Sequence, residues 1–173
     1  MAEGANMYGR ELVPPDFGVP ERLDGEGYHL RMLRADDVDK DFAAVVESGD
    51  RLRGLLDPNS AWPDGLTRQE DLIDLAWHQR EFTIRHSFAY TVMSSDESRC
   101  LGCVYIFPSD RRGYDAKVFY WVRSGPDAER RDTELGKLVR AWIAQLWPFT
   151  SVAYPGRDLP WETWQALALK QWG

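Results

Sequence analysis

No stretch of the 173-residue chain approaches the roughly 20 consecutive apolar residues that a membrane-spanning helix needs, so no membrane span is expected. The start, Met1 to Arg10, lacks the basic-then-apolar order of a secretory signal, and the reading is a soluble, cytoplasmic protein. Basic residues are in deficit. With 21 Lys and Arg against 28 Asp and Glu the net charge is −7, which argues against electrostatic binding to nucleic acid or an anionic membrane. Histidine is scarce: His29, His78 and His86 are scattered, no His-Glu-x-x-His occurs, and no dedicated metal site is expected. His78, without a triad partner, reads as a partly exposed or satisfied surface histidine. Glycine-rich phosphate loops and a Gly-x-Ser-x-Gly elbow are absent, because Gly25-Glu26-Gly27 lacks the third glycine of a dinucleotide loop. Serine-elbow hydrolases, Rossmann dehydrogenases and P-loop nucleotidases are thereby excluded. There are only two cysteines. Cys100-Leu-Gly-Cys103 has no second pair to complete a zinc site, and in a strand positions three apart point to opposite faces, so both are expected to be structural thiols.

What is present suffices for a sizeable core. The hydrophobic fraction is 43% and there are eight tryptophans, which places the chain among single folded domains. Residues 1–27, rich in Gly and Pro, read as an extended N-terminal arm whose Tyr8, Leu12, Val13, Phe17 and Val19 pack along a domain formed by residues 28–173. Tyr28 to Leu33 reads as a first strand. Asp36 or Asp37 then caps a helix carrying Val38, Phe42, Val45 and Val46, with Gly49 placed to end it. After a Pro-containing loop, Thr67 and Glu70 form a capping box for a second helix that runs to about Ile84. Phe88 to Val92 and Leu101 to Phe107 read as a hairpin, and Lys117 to Arg123 as a central strand covered on both faces. Leu135, Leu138, Val139, Trp142, Ile143 and Leu146 define the strongest helix, capped by Asp132 or Thr133 and stopped by Pro148. A short strand within Thr150–Tyr154 and a helix over Trp161–Lys170 complete the order.

A bulky central strand leading through a loop into a capped helix N-terminus is an anion site in outline, because free backbone N–H groups and the helix dipole both favour a phosphate there. Arg130 and Arg131 stand just outside the expected helix start and Arg123 ends the strand. This element order and strand-loop-helix unit, spanning Tyr28 to about Lys170, resemble the GCN5-related N-acetyltransferase (GNAT) superfamily. The family's loop reads Gln/Arg-x-x-Gly-x-Gly/Ala. Here the nearest match is Arg131-Asp132-Thr133-Glu134-Leu135-Gly136, with Glu134 in place of the first glycine and a few extra residues ahead of it. The resemblance implies an α+β, three-layer fold with a mixed, mostly antiparallel central sheet flanked by helices, here lacking the family's last two strands. Either the sheet is truncated or the N-terminal arm replaces the missing wall.

The resemblance also implies a reaction, transfer of an acetyl group from acetyl-CoA to an amine on a small molecule or a protein, with no metal. Cofactor-binding positions would then be Trp121, Val122, Arg123, Arg130, Arg131, Asp132, Thr133, Leu135 and Gly136. The main chain at Trp121 to Arg123 would hold the pantetheine arm. Tyr154 is the candidate acid for the leaving thiolate; Asp115, Glu134 and Asp158 are carboxylates from which a base could be drawn. An alternative is a non-catalytic member of the same fold that has lost CoA. Trp142, Trp147, Trp161, Trp164 and Trp172 crowd the C-terminal end, and a surplus there at an incomplete sheet edge suits a homodimer contact.

Overall fold

The computed structural model describes residues 9–171, so Tyr8 and Trp172 lie outside the described residues. Six strands form one sheet in the order β1-β2-β3-β4-β5-β6, with β1 at Arg22–Asp24, β2 at Tyr28–Met32, β3 at Phe88–Ser94, β4 at Cys100–Pro108, β5 at Ala116–Val122 and β6 at Val152–Ala153. All neighbours are antiparallel except β5 and β6, which run parallel. The helices are α1 (Val38–Glu47), the single turn α2 (Gly49–Leu52), α3 (Arg68–Thr83), α4 (Ala128–Leu146) and α5 (Trp161–Ala166). One face of the sheet carries Tyr90, Val104, Val118, Tyr120 and Val122 against Leu135, Val139, Trp142 and Ile143 of α4. The other carries Cys103, Tyr105, Phe119 and Trp121 against Val38, Val45 and Leu75 of α1 and α3. Period-two alternation along β4 and β5 assigns successive side chains to the two cores, which is why these strands read as nearly continuous apolar runs.

Thr67 and Glu70 form the capping box in full: Thr67 Oγ1 accepts from Glu70 N–H at 3.2 Å and Glu70 Oε2 accepts from Thr67 N–H at 2.8 Å. Three local expectations are corrected, on the start of α4, the end of α1 and the facing of the two cysteines. Helix α4 begins at Ala128, not at Asp132 or Thr133, because Gly125-Pro126 is the actual break and the charged stretch after it is held helical by the i,i+4 pair Arg130–Glu134. Ser48 ends α1, and Gly49 opens α2. The arm contributes β1, which joins the sheet at the edge opposite β6, and Val13, Phe17 and Val19 pack with the α4-side core. Cys100 and Cys103 share one face, because the β3–β4 register slips between Val92 and Met93, making Leu101 an inserted residue.

Among the described residues no strand follows α5; the segment after it makes a single bridge, Leu169 to Arg111. Trp142, Trp147 and Trp164 are core residues, and Trp161 is half-buried against the α1-side core. No described helix is long and apolar enough to cross a membrane.

Candidate functional site

Strands β5 and β6 pair only at Ala116–Val152 and Lys117–Ala153, after which β6 ends and the chain turns away at Pro155. From Val118 onward the edge of β5 on that side has no partner strand, which opens a wedge. Arg123 N–H donates to Leu101 O at 2.7 Å, and a Cβ on Gly102 would overlap the Trp121 carbonyl, so the main chain at 121 and 123 faces β4. By strand alternation the main-chain groups of Tyr120 and Val122 face the wedge. Of the three positions expected to hold a pantetheine arm, therefore, Val122 alone offers its backbone to this side. Helix α4 follows through residues 123–127 and brings its N-terminus beside the wedge.

The wedge is furnished by the loop between Pro155 and Pro160. Arg157 Nη2 donates to Tyr120 O at 2.6 Å and its two Nη groups form a fork on Asp132 at 2.7 and 2.9 Å, while the guanidinium lies 3.5 Å from the centre of the Tyr120 ring. Arg140 holds Asp158 at 2.9 Å, hydrogen-bonds the Tyr120 side chain and lies 3.7 Å over the ring of Tyr154. Tyr154 is buried, and burial pushes its hydroxyl up to about 12 against the opposing pull of Arg140. Burial is the largest influence on Asp158 and works against its ionisation, but the hydrogen bonds and charge of Arg140 together with the charge of Arg157 outweigh it and hold that carboxyl below its usual range.

The remaining expected residues divide clearly. Arg131 reaches back to Arg123 O at 3.3 Å and closes the β5–α4 loop. Arg123 pairs its side chain with Glu47 and donates to Cys100 O. Trp121 is buried in the α1-side core, its Nε1 donating to Tyr105 Oη at 3.2 Å. Arg130 and Thr133 lie on the solvent face of α4, where Thr133 Oγ1 donates to Glu129 O. Leu135 is core, and Gly136 is buried where a Cβ would overlap the Tyr120 hydroxyl; both sit two turns inside α4 rather than in a loop. Glu134 turns outward to Arg130, so its charge does not enter the wedge.

β5 is also one wall of a cavity of about 1100 Å³ at the start of the strand, lined by Leu56, Trp77, Phe107, Lys117, Phe119 and Asp115 among others. Asp115 accepts from Thr150 and Ser151 N–H groups, which fixes the chain entering β6. His78 on α3 stacks on Tyr105 at 5.2 Å with its Nδ1 buried and unpartnered, and burial lowers it to about 4. The ring is thus neutral and partly exposed, as expected, but its Nδ1 is unpartnered rather than satisfied. Arg140 and Arg157 escaped the sequence reading. Their one sequence signal is Arg157-Asp158 between Pro155 and Pro160, a charged pair in a short loop immediately after a strand.

No family model matches the sequence, and no curated protein matches it. Among solved structures the chain is similar to a ribosomal-protein-S5-alanine acetyltransferase from Vibrio fischeri, with TM-score 0.53 and 16% identity over 70% of this chain and 66% of that one. It is likewise similar to a putative ribosomal-protein-serine acetyltransferase from Vibrio cholerae, with TM-score 0.54 and 17% identity over 76% and 70% of the two chains. A third likeness is to the RimL α-N-protein acetyltransferase in complex with coenzyme A, with TM-score 0.54 and 14% identity over 73% and 67%. The chain spans about two thirds of the length of the first of these. Taken with the six-stranded sheet and the β5–β6 wedge, they show that the chain has the fold of the GCN5-related N-acetyltransferases.

Proposed function

We propose that the chain is an N-acetyltransferase that takes acetyl-CoA at the β5–β6 wedge and passes the acetyl group to an amine presented from the cavity beside β5. The observation that carries this reading is the two-residue parallel pairing of β5 with β6, followed by a strand edge with no partner strand that leads into the N-terminus of a 19-residue helix. The structural neighbour RimL in complex with coenzyme A supports the donor, and the protein amino groups named for the neighbours support an amine-bearing acceptor. Acetyl-CoA supplies an activated acyl carbon. The amine nitrogen forms the new C–N bond, the C–S bond breaks, the amine loses a proton and the thiolate gains one.

The chain's own groups set the conditions. Both main-chain groups of Val122 and the N–H of Tyr120 face the edge that has no partner strand, the Tyr120 carbonyl being held by Arg157, and the first turn of α4 offers N–H groups for a pyrophosphate. Asp127 and Glu129 already stand at that turn, and Arg130 beside Asp127 and Arg51 paired to Glu129 offset that local negative charge. Tyr154 keeps its proton throughout the neutral range, the state required of an acid for a thiolate.

A second reading, a GNAT-fold binding protein without catalysis, is favoured by one observation: Arg157 occupies the Tyr120 carbonyl and Asp132 pins it there. Calorimetric titration with acetyl-CoA, with CoA and ATP as controls, decides between them. Saturable, CoA-selective binding, followed by release of free thiol on adding amine acceptors, is the expected outcome. No binding at millimolar cofactor in both the native chain and an Arg157→Ala chain establishes the second reading instead.

A further inference from the structure

Asp41 on α1 and Cys100 and Cys103 on β4 lie together in the α1-side core, remote in sequence and fully buried. Their Asp Oδ and Sγ atoms all fall within 4.8 Å of one another. Cys103 Sγ is 3.4 Å and Cys100 Sγ 3.9 Å from Asp41 Oδ1. On a tetrahedral zinc ion with Zn–S of about 2.3 Å and Zn–O of about 2.0 Å, the sulfur-to-oxygen edge is about 3.5 Å and the sulfur-to-sulfur edge about 3.8 Å. We propose that Asp41, Cys100 and Cys103 form a structural site for a tetrahedral, thiolate-preferring divalent cation of the zinc type.

Three further observations point to a ligand rather than to packing. The strand would place the two thiols on opposite faces; the bulge at Leu101 turns both inward, and Gly102 permits the close approach to Trp121 that the bulge demands. Asp41 is a carboxyl in an apolar core with no cation against it, bonded by the two thiols and by another carboxyl, Asp71. Asp71 on α3 hydrogen-bonds Asp41, is itself buried, and has an Oδ2 with no partner, so a buried carboxyl with unmet bonding capacity stands behind the Asp41 ligand. Loading is balanced: the two thiols and the Asp41 carboxyl each release a proton to solvent as the three metal bonds form. Arg123, which donates to Cys100 O at 3.2 Å, lies next to the resulting negative charge. The metal would tie α1 to β4. The end of α1 carries Ser48 and Glu47, which hold Ser124 and Arg123 of the β5–α4 loop, so the tie reaches the wedge without being part of it.

The test uses the full chain, reduced and stripped of metal, then titrated with Co2+ alone, both folded and during refolding from urea. Expected are a thiolate-to-cobalt charge-transfer band and tetrahedral d–d bands that saturate at one cobalt per chain, bleach on adding Zn2+, and accompany a rise in thermal midpoint. The Cys100→Ala/Cys103→Ala chain, whose small apolar replacements suit the core, should keep its far-ultraviolet dichroism and lose the bands. A folded native chain with no bands by either route overturns the proposal, as do bands that persist in the double-alanine chain. These readouts do not depend on CoA binding, so failure here and failure of the transferase reading are separable.

Discussion

Arg157 closes the wedge, so releasing it should raise affinity for acetyl-CoA. The guanidinium makes a forked pair with Asp132, a bond to the Tyr120 carbonyl and a stacked contact with the Tyr120 ring, with only 25% and 18% of the two charged side chains exposed. Charge-assisted hydrogen bonds are worth about 1.5–3 kcal/mol each in net terms and a cation over an aromatic ring about 0.5–2 kcal/mol. These contributions share one side chain and are not additive, so about 3 kcal/mol is a reasonable total for holding Arg157 in place. A binding-competent state disfavoured by about 3 kcal/mol is populated at roughly one part in a hundred, and the apparent dissociation constant rises by the same factor. The Arg157→Ala/Asp132→Asn chain removes the clamp without leaving an uncompensated carboxylate beside the cofactor phosphates. Titration calorimetry should show acetyl-CoA binding roughly a hundredfold tighter than to the native chain. Equal or weaker binding by a double variant that melts cooperatively contradicts a closing role for Arg157 and places it among the ligand's own contacts.

Gly136→Ala should lower stability by about 1–2 kcal/mol despite the better helix propensity of alanine, because its Cβ meets the Tyr120 hydroxyl; thermal denaturation with an unchanged midpoint contradicts the packing described. Asp71 is held up to about 8, first by burial and then by Asp41, so the folded chain binds a proton that the unfolded chain releases above about pH 4. Stability therefore falls as pH rises from about 4 to 8, and Asp71→Asn should flatten that fall by about 1–3 kcal/mol in urea denaturation at pH 5 and pH 8. A variant whose slope matches the native one removes Asp71 from that role. Thr67→Ala breaks the capping box of α3 and should destabilise by about 1 kcal/mol, read as a shift in urea midpoint at constant slope. Tyr154→Phe should leave acetyl-CoA affinity unchanged and depress turnover; equal turnover removes Tyr154 as the acid.

Much of the fold was legible because the relevant signals are local. The Thr67–Glu70 box, the β3–β4 turn and the apolar run of β5 depend on residues within a few positions of one another. The start of α4 was misplaced because its apolar stripe begins late, at Leu135, whereas the helix is carried back to Ala128 by charged residues that a hydrophobic pattern cannot register. Gly136 looked like a loop glycine by its spacing from Arg131, but its neighbour in space is Tyr120, sixteen residues earlier on β5. Arg157 acts at the wedge only because the chain after β6 folds back over β5, and no local pattern encodes that return. The same holds for Asp41 with Cys100 and Cys103: the pair was visible, but its common orientation depends on a bulge and its third member lies on a helix about 60 residues away.

The central claim is that the β5–β6 wedge receives the CoA thioester. Amide chemical shifts of the isotopically labelled chain, followed while CoA is added, test it residue by residue. Perturbations are expected at Tyr120, Val122, Ala128 to Arg131 and Arg157, with the α1-side core left unmoved. Shifts confined to other surfaces, or none at millimolar CoA in the native and clamp-free chains alike, contradict it.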